Sequence, residues 1–150
     1  MRYLGLILAL SLVVLLVSCD GGSTSSGFPI CGSERAIDGE WEGTVVSSVD
    51  GSTRPAMLSI GCFSDSIAVP PCFPSSLASV NVNNNAINGS ATSLDLTDPQ
   101  FRPIGSISFD GTIQRNPFRI TGTYRMQTNV SGCASPDNGS ITLTKLAGDN

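Results

Sequence analysis

Histidine is absent from this 150-residue chain, and lysine occurs once, at Lys145. Without imidazole there is no Ser-His-Asp triad or Cys-His dyad, and conventional zinc and copper sites lose their commonest ligand. Charge is scarce: 8 basic and 12 acidic side chains, with no run of Lys or Arg. Nucleic acid and anionic lipid headgroups both demand clustered cations, so neither is an expected partner. Gly-x-Ser-x-Gly is missing and no serine has a recognisable base beside it, so no enzyme is expected. Long helical periodicities are missing beyond the first 18 residues. Gly, Ser, Thr and Asn are abundant instead, which points to an all-β chain.

From Ile37 onward the hydrophobic period is two. Trp41, Gly43, Val45 and Ser47 share one face of a first strand, and Ala56, Leu58, Ile60 and Cys62 share a face of a second. Asp50-Gly51-Ser52 turns between them. Pro70, Pro71 and Pro74 around Cys72 demand a loop, with Ser66 to Val69 a short strand before it. Ala78, Val80 and Val82, then Ile87, Gly89 and Ala91, line two more strands about the Asn83-Asn84-Asn85 turn. Leu94 and Leu96 suggest a further short strand before Asp98-Pro99. Gly105, Ile107, Phe109, Gly111 and Ile113 alternate without a slip, as do Phe118, Ile120, Gly122, Tyr124 and Met126. The alternation runs through Asp110-Gly111, so the turn is placed at Arg115-Asn116-Pro117. Pairing Ile113 with Phe118 then sets Gly111 opposite Ile120 and Phe109 opposite Gly122. Ser140 to Leu146 forms a last strand with Ile141 and Leu143 inward.

A pattern recurs: large apolar, polar, Gly, then Thr or Ser. It stands at Trp41 to Thr44, Ile87 to Ser90, Phe109 to Thr112 and Ile120 to Thr123. Glycine weakens a strand interior unless a bend or close approach needs it. Four such places predict sharp coiling toward closure, an antiparallel up-and-down barrel of about eight strands over residues 37–150. Asp38, Glu40 and Glu42 surround Trp41, and on a strand Glu40 and Glu42 point away from it. They read as a solvated outer face rather than a calcium site, so no metal and no cofactor are assigned.

The N-terminus has a different character. Arg2 precedes a 15-residue apolar run, Tyr3 to Val17. That is short of the roughly 20 residues a membrane-spanning helix needs, and it has the proportions of a secretory signal. Its ending, Leu16-Val17-Ser18-Cys19, resembles the lipobox of bacterial lipoproteins. The resemblance implies that residues 1–18 are cleaved and that Cys19 is lipidated on its sulfur and acylated on its new amine. The membrane is then a partner through that anchor, and the site is the cell envelope, inner or outer membrane. Removal of Arg2 leaves 7 basic and 12 acidic residues in a 132-residue chain, enough for one domain. Residues 19–36 serve as a tether: the polar tract Asp20 to Gly27 spans about 15 Å on average.

With Cys19 lipidated, Cys31, Cys62, Cys72 and Cys133 remain. An even number in an exported chain reads as two disulfides, and the spacings are too wide for a four-thiolate metal site. Three pairings are open.

Ile37 to Leu146 resembles a group of small bacterial lipoprotein domains with a Trp-x-Gly-Thr first strand, an Ile-x-Gly-Thr-Tyr penultimate strand and a Cys before a Gly-Ser final strand. Here these are Trp41 to Thr44, Ile120 to Tyr124, Cys133 and Gly139-Ser140. The resemblance implies Cys72–Cys133, leaving Cys31–Cys62; the alternative is Cys62–Cys72 with Cys31–Cys133. Gly39-Glu40-Trp41 is similar to the Gly-x-Trp of lipocalins. That implies a lipocalin-like barrel in which Trp41 closes one end and Arg119 or Arg125 stacks on it. Two roles follow as expectations. One is binding, with a small apolar ligand or an envelope protein as partner. The other is a structural or surface-coat lipoprotein without a ligand. A pocket of ~300 Å³ or more inside the sheet would favour the small ligand.

Overall fold

The computed structural model describes residues 36–147. The expected signal peptide, Cys19 and Cys31 lie outside those residues. Eight strands run through the described chain: β1 Gly39–Ser47, β2 Thr53–Ile60, β3 Asp65–Val69, β4 Phe73–Asn83, β5 Ala86–Leu94, β6 Pro103–Arg115, β7 Phe118–Thr128 and β8 Asp137–Lys145. Each pairs antiparallel with its sequence neighbour, and β8 returns to β1, closing an up-and-down barrel. Closure leaves no open sheet edge for another chain to extend.

The inward residues are those that the period of two selects. Trp41, Val45, Leu58, Phe73, Ile87, Phe109, Ile120, Tyr124, Ile141 and Leu143 are all buried in one apolar cluster. Ala78, Val80 and Val82 of β4 pack against it half-buried. Two ends are distinguished by their contents. Trp41, Phe118 and the Asn116–Pro117 turn lie at the end where the chain enters β1. The opposite end carries the β1–β2, β3–β4, β5–β6 and β7–β8 connections, with Asp137 beneath them.

The closed eight-stranded barrel is as expected but one register is not. The β6–β7 connection has only two residues, Asn116 and Pro117, so Arg115 pairs with Phe118 and Ile113 with Ile120. Gly111 therefore faces Gly122, and Phe109 faces Tyr124. A Cβ on Gly122 would sit 2.1 Å from the Asp110 carbonyl oxygen and 2.5 Å from Gly111 Cα, so the two strands approach too closely for side chains here. Large residues meet small ones between neighbouring hairpins instead of across this hairpin. One inner row reads Gly139, Tyr124, Phe109, Gly89, and the next Ile141, Gly122, Gly111, Ile87. Phe109 fills the space that a Gly89 side chain would need, its Cε1 lying 2.5 Å from that virtual Cβ. Each bulky ring is thus flanked by a glycine, as filling a narrow closed sheet requires.

The expected short strand at Leu94 and Leu96 is also corrected. Leu94 ends β5, and Leu96 lies in a turn. Asp95 Oδ1 accepts from the Thr97 backbone N–H at 2.9 Å and from Thr97 Oγ1 at 2.6 Å, folding the segment back. Cys62 lies past the end of β2 and is exposed rather than inward.

The Cys72–Cys133 disulfide is present, with Cα atoms 5.7 Å apart, and it ties the Pro-rich β3–β4 connection to the β7–β8 loop. Cys62–Cys72 is thereby excluded. Cys62 is itself disulfide-bonded.

Candidate functional site

The barrel interior is filled. Walls of a ligand-sized cavity would be touched by a water-sized sphere, yet Trp41, Leu58, Phe73, Ile120 and Leu143 each have 0% of their surface exposed. The large inward rings and the glycines beside them take up the volume that lipocalin-like barrels of this strand number give to a ligand.

Trp41 seals one end. Its Nε1 donates to the Ile37 carbonyl at 2.9 Å, and its ring meets Phe118 edge-on at 6.3 Å between centroids. Neither expected arginine stacks on it: Arg119 and Arg125 alternate with the inward Ile120, Tyr124 and Met126 and so point outward. Lys145 instead places a cation over a ring at this end: its Nζ lies 5.5 Å from the Phe118 centroid and donates to the Ala36 carbonyl at 3.0 Å. Glu40 and Glu42 face solvent from β1, and Ser59 Oγ donates to Glu40 Oε1 at 2.7 Å.

At the opposite end a buried polar cluster is built on Asp137. Its carboxylate accepts from Ser47 Oγ at 2.6 Å, Tyr124 Oη at 2.8 Å and Arg54 Nη1 at 3.2 Å. Arg54 reaches on to Asp50 with its other nitrogen, at 2.9 Å. Hydrogen bonds from Ser52, first its hydroxyl and then its backbone N–H, hold the Asp50 carboxyl below the usual aspartate range. Burial pushes the Tyr124 phenol's pKa upward, and the bond it donates to Asp137 adds to that. The cluster joins β1, β2, β7 and β8.

Above the cluster, the β5–β6 loop is stiffened by its own hydrogen bonds. Asp98 Oδ1 accepts from the Gln100 backbone N–H at 2.9 Å, its other oxygen pairs with Arg102, and its carbonyl accepts from the Phe101 N–H at 2.8 Å. This holds Phe101 at φ +48°, a conformation costly for a bulky residue, with 56% of its surface exposed. Leu96 in the same loop is 79% exposed.

Two concave surfaces lie outside the wall. A groove of about 410 Å³ crosses β5, β6 and β7 near the Asp137 end. Register explains its lining. Asn138, Arg125, Ser108 and Ser90 form one outward cross-strand row, and Gln127, Ser106 and Thr92 form the next. A second groove of about 740 Å³ adjoins it over β7, β8 and β1, sharing Arg125 and Asn138.

By sequence, Ser47 and Tyr124 stand out only as inward positions, Asp50 and Ser52 as turn residues, Leu96 as a strand residue and Arg125 as a candidate for stacking; none is marked as part of a site. One signal was present for the buried cluster. Arg54 is in phase with Ala56 and Leu58, and Asp137 with Ile141 and Leu143, so each is a charge on an inward face.

Comparison with protein-family models, curated proteins and solved structures finds no match for this chain.

Proposed function

We propose that this protein is a lipid-anchored bacterial envelope protein that binds an envelope protein through the loops at the Asp137 end. The anchor rests on the apolar run that closes at Leu16-Val17-Ser18-Cys19. A filled interior argues against an internal apolar ligand, which moves the binding surface outside. The observation that carries the reading is the β5–β6 loop. Leu96 and Phe101 expose apolar side chains on a loop held by its own hydrogen bonds, and aromatic and apolar side chains presented in this way are what protein interfaces use as anchors. The described chain enters β1 at the other end of the barrel.

Two measurements test this in a bacterial host. Cys19→Ala should abolish labelling by a fatty-acid probe and release the protein from membranes; persistent labelling contradicts the anchor. A photo-cross-linking residue at Leu96 should give one discrete adduct, absent when placed at Thr144 and lost on adding Phe101→Ser. No adduct from Leu96 would overturn the binding reading and leave the structural or coat role.

A further inference from the structure

We infer that the outer groove over β5, β6 and β7 is a second binding site, for a sugar or similar polyol carrying one anionic group, with Arg125 as its anchor. It is separate from the loop surface proposed above. At about 410 Å³ the groove falls within the ~300–1,000 Å³ typical of small-ligand sites. Its lining is unlike that of an apolar pocket. Ser106, Ser108 and Gln127 point outward from paired strands, placing hydroxyl and amide groups about 5 Å apart across the sheet and about 7 Å apart along it. Each can both donate and accept, as sugar hydroxyls can.

Charge selects the anionic group. Arg54 and Arg102 are ion-paired, whereas Arg125 has no carboxylate within salt-bridge distance among the described residues. The one carboxylate at the groove, Asp137, is buried and occupied by Ser47, Tyr124 and Arg54. It cannot turn to quench Arg125. Asn138 is set as a donor. The single Ser48 hydroxyl hydrogen is shared between the Asn138 side-chain oxygen and its main-chain carbonyl, the latter at 2.8 Å, so Oδ1 faces Ser48 and Nδ2 is left to donate. A planar guanidinium next to a fixed amide donor suits a carboxylate or a phosphate, and the flanking hydroxyls suit the polyol that bears it.

The test is a titration of the full-length, isotope-labelled protein in detergent, followed by amide chemical shifts. Probes are galacturonate, glucose 1-phosphate, galactose, sulfate and acetate. Saturable shifts confined to the β5–β7 groove are expected with both anionic sugars, and the tighter of the two identifies carboxylate or phosphate. Arg125→Gln should weaken binding by about tenfold or more, the loss of a charge-assisted pair, and Arg119→Gln should leave it unchanged. Both residues are exposed, so neither substitution threatens the fold. The inference is overturned if no probe saturates, if sulfate or acetate reproduces the shifts at equal concentration, or if the two variants behave alike.

Discussion

Replacing Asp137 by alanine should destabilise the barrel by about 3–5 kcal/mol, the range for removing one partner of a buried ion pair. Three donors converge on that carboxylate, and all are inside the protein. Alanine would leave Arg54, a residue only 8% exposed, without its buried counter-charge, and would orphan the Tyr124 and Ser47 hydroxyls. Asp50, at the rim, can hold only one side of Arg54. The charge left behind dominates this cost, because an intact buried pair is itself worth little against an apolar replacement. Asp137→Ala combined with Arg54→Met should therefore recover part of the loss. Urea denaturation with disulfides intact measures both. A midpoint for Asp137→Ala within about 1 kcal/mol of the parent would show that the cluster is solvated and not structural.

Trp41→Ala should cost a similar amount, about 3–5 kcal/mol, as a large aromatic truncation in a closed core. The indole is fully buried, and its removal opens the Trp41 end, strips Phe118 of its edge-on partner and leaves the Ile37 carbonyl without its donor. Trp41→Phe isolates the last effect, since it keeps most of the volume and loses the N–H. Trp41 is the sole tryptophan, so its emission reports this site alone. Emission well to the blue of free tryptophan is expected. Emission at the aqueous position would contradict burial, whatever the stability change.

The alternation of side chains made most of the barrel legible. Every strand of the structure except β3 has its counterpart in a run of period two, and the alternation through Asp110-Gly111 located the β6–β7 turn to within a residue; β3, with Ile67, Ala68 and Val69 all buried, does not alternate. Register was harder. Glycine opposite a bulky side chain is sound packing logic, but a closed sheet can satisfy it between neighbouring strands, as Gly89 and Phe109 do, and not across the hairpin. Leu94 and Leu96 carry the spacing of a strand, yet Asp95 captures the Thr97 N–H and bends the chain. A local side-chain bond competes there with the ladder, and periodicity does not register it.

The candidate sites were less legible for a related reason. Arg54 and Asp137 are 83 residues apart and meet only because β8 closes onto β1, bringing both within reach of Tyr124. Their inward phase marked each as unusual, but not as a pair. The outer groove is less visible still. Ser90, Ser108, Arg125 and Asn138 are ordinary outward residues in sequence, and only the registers of three successive strand pairs place them in one row.

The central claim is that this barrel is solid and acts through its outside. The most direct test is a titration of the isotope-labelled protein with a fatty acid and with a small aromatic probe, followed on the methyl groups of Leu58, Ile120 and Leu143. A filled interior predicts no saturable shift at those methyls. Saturable, matching shifts at all three would reveal an internal ligand cavity and contradict the account.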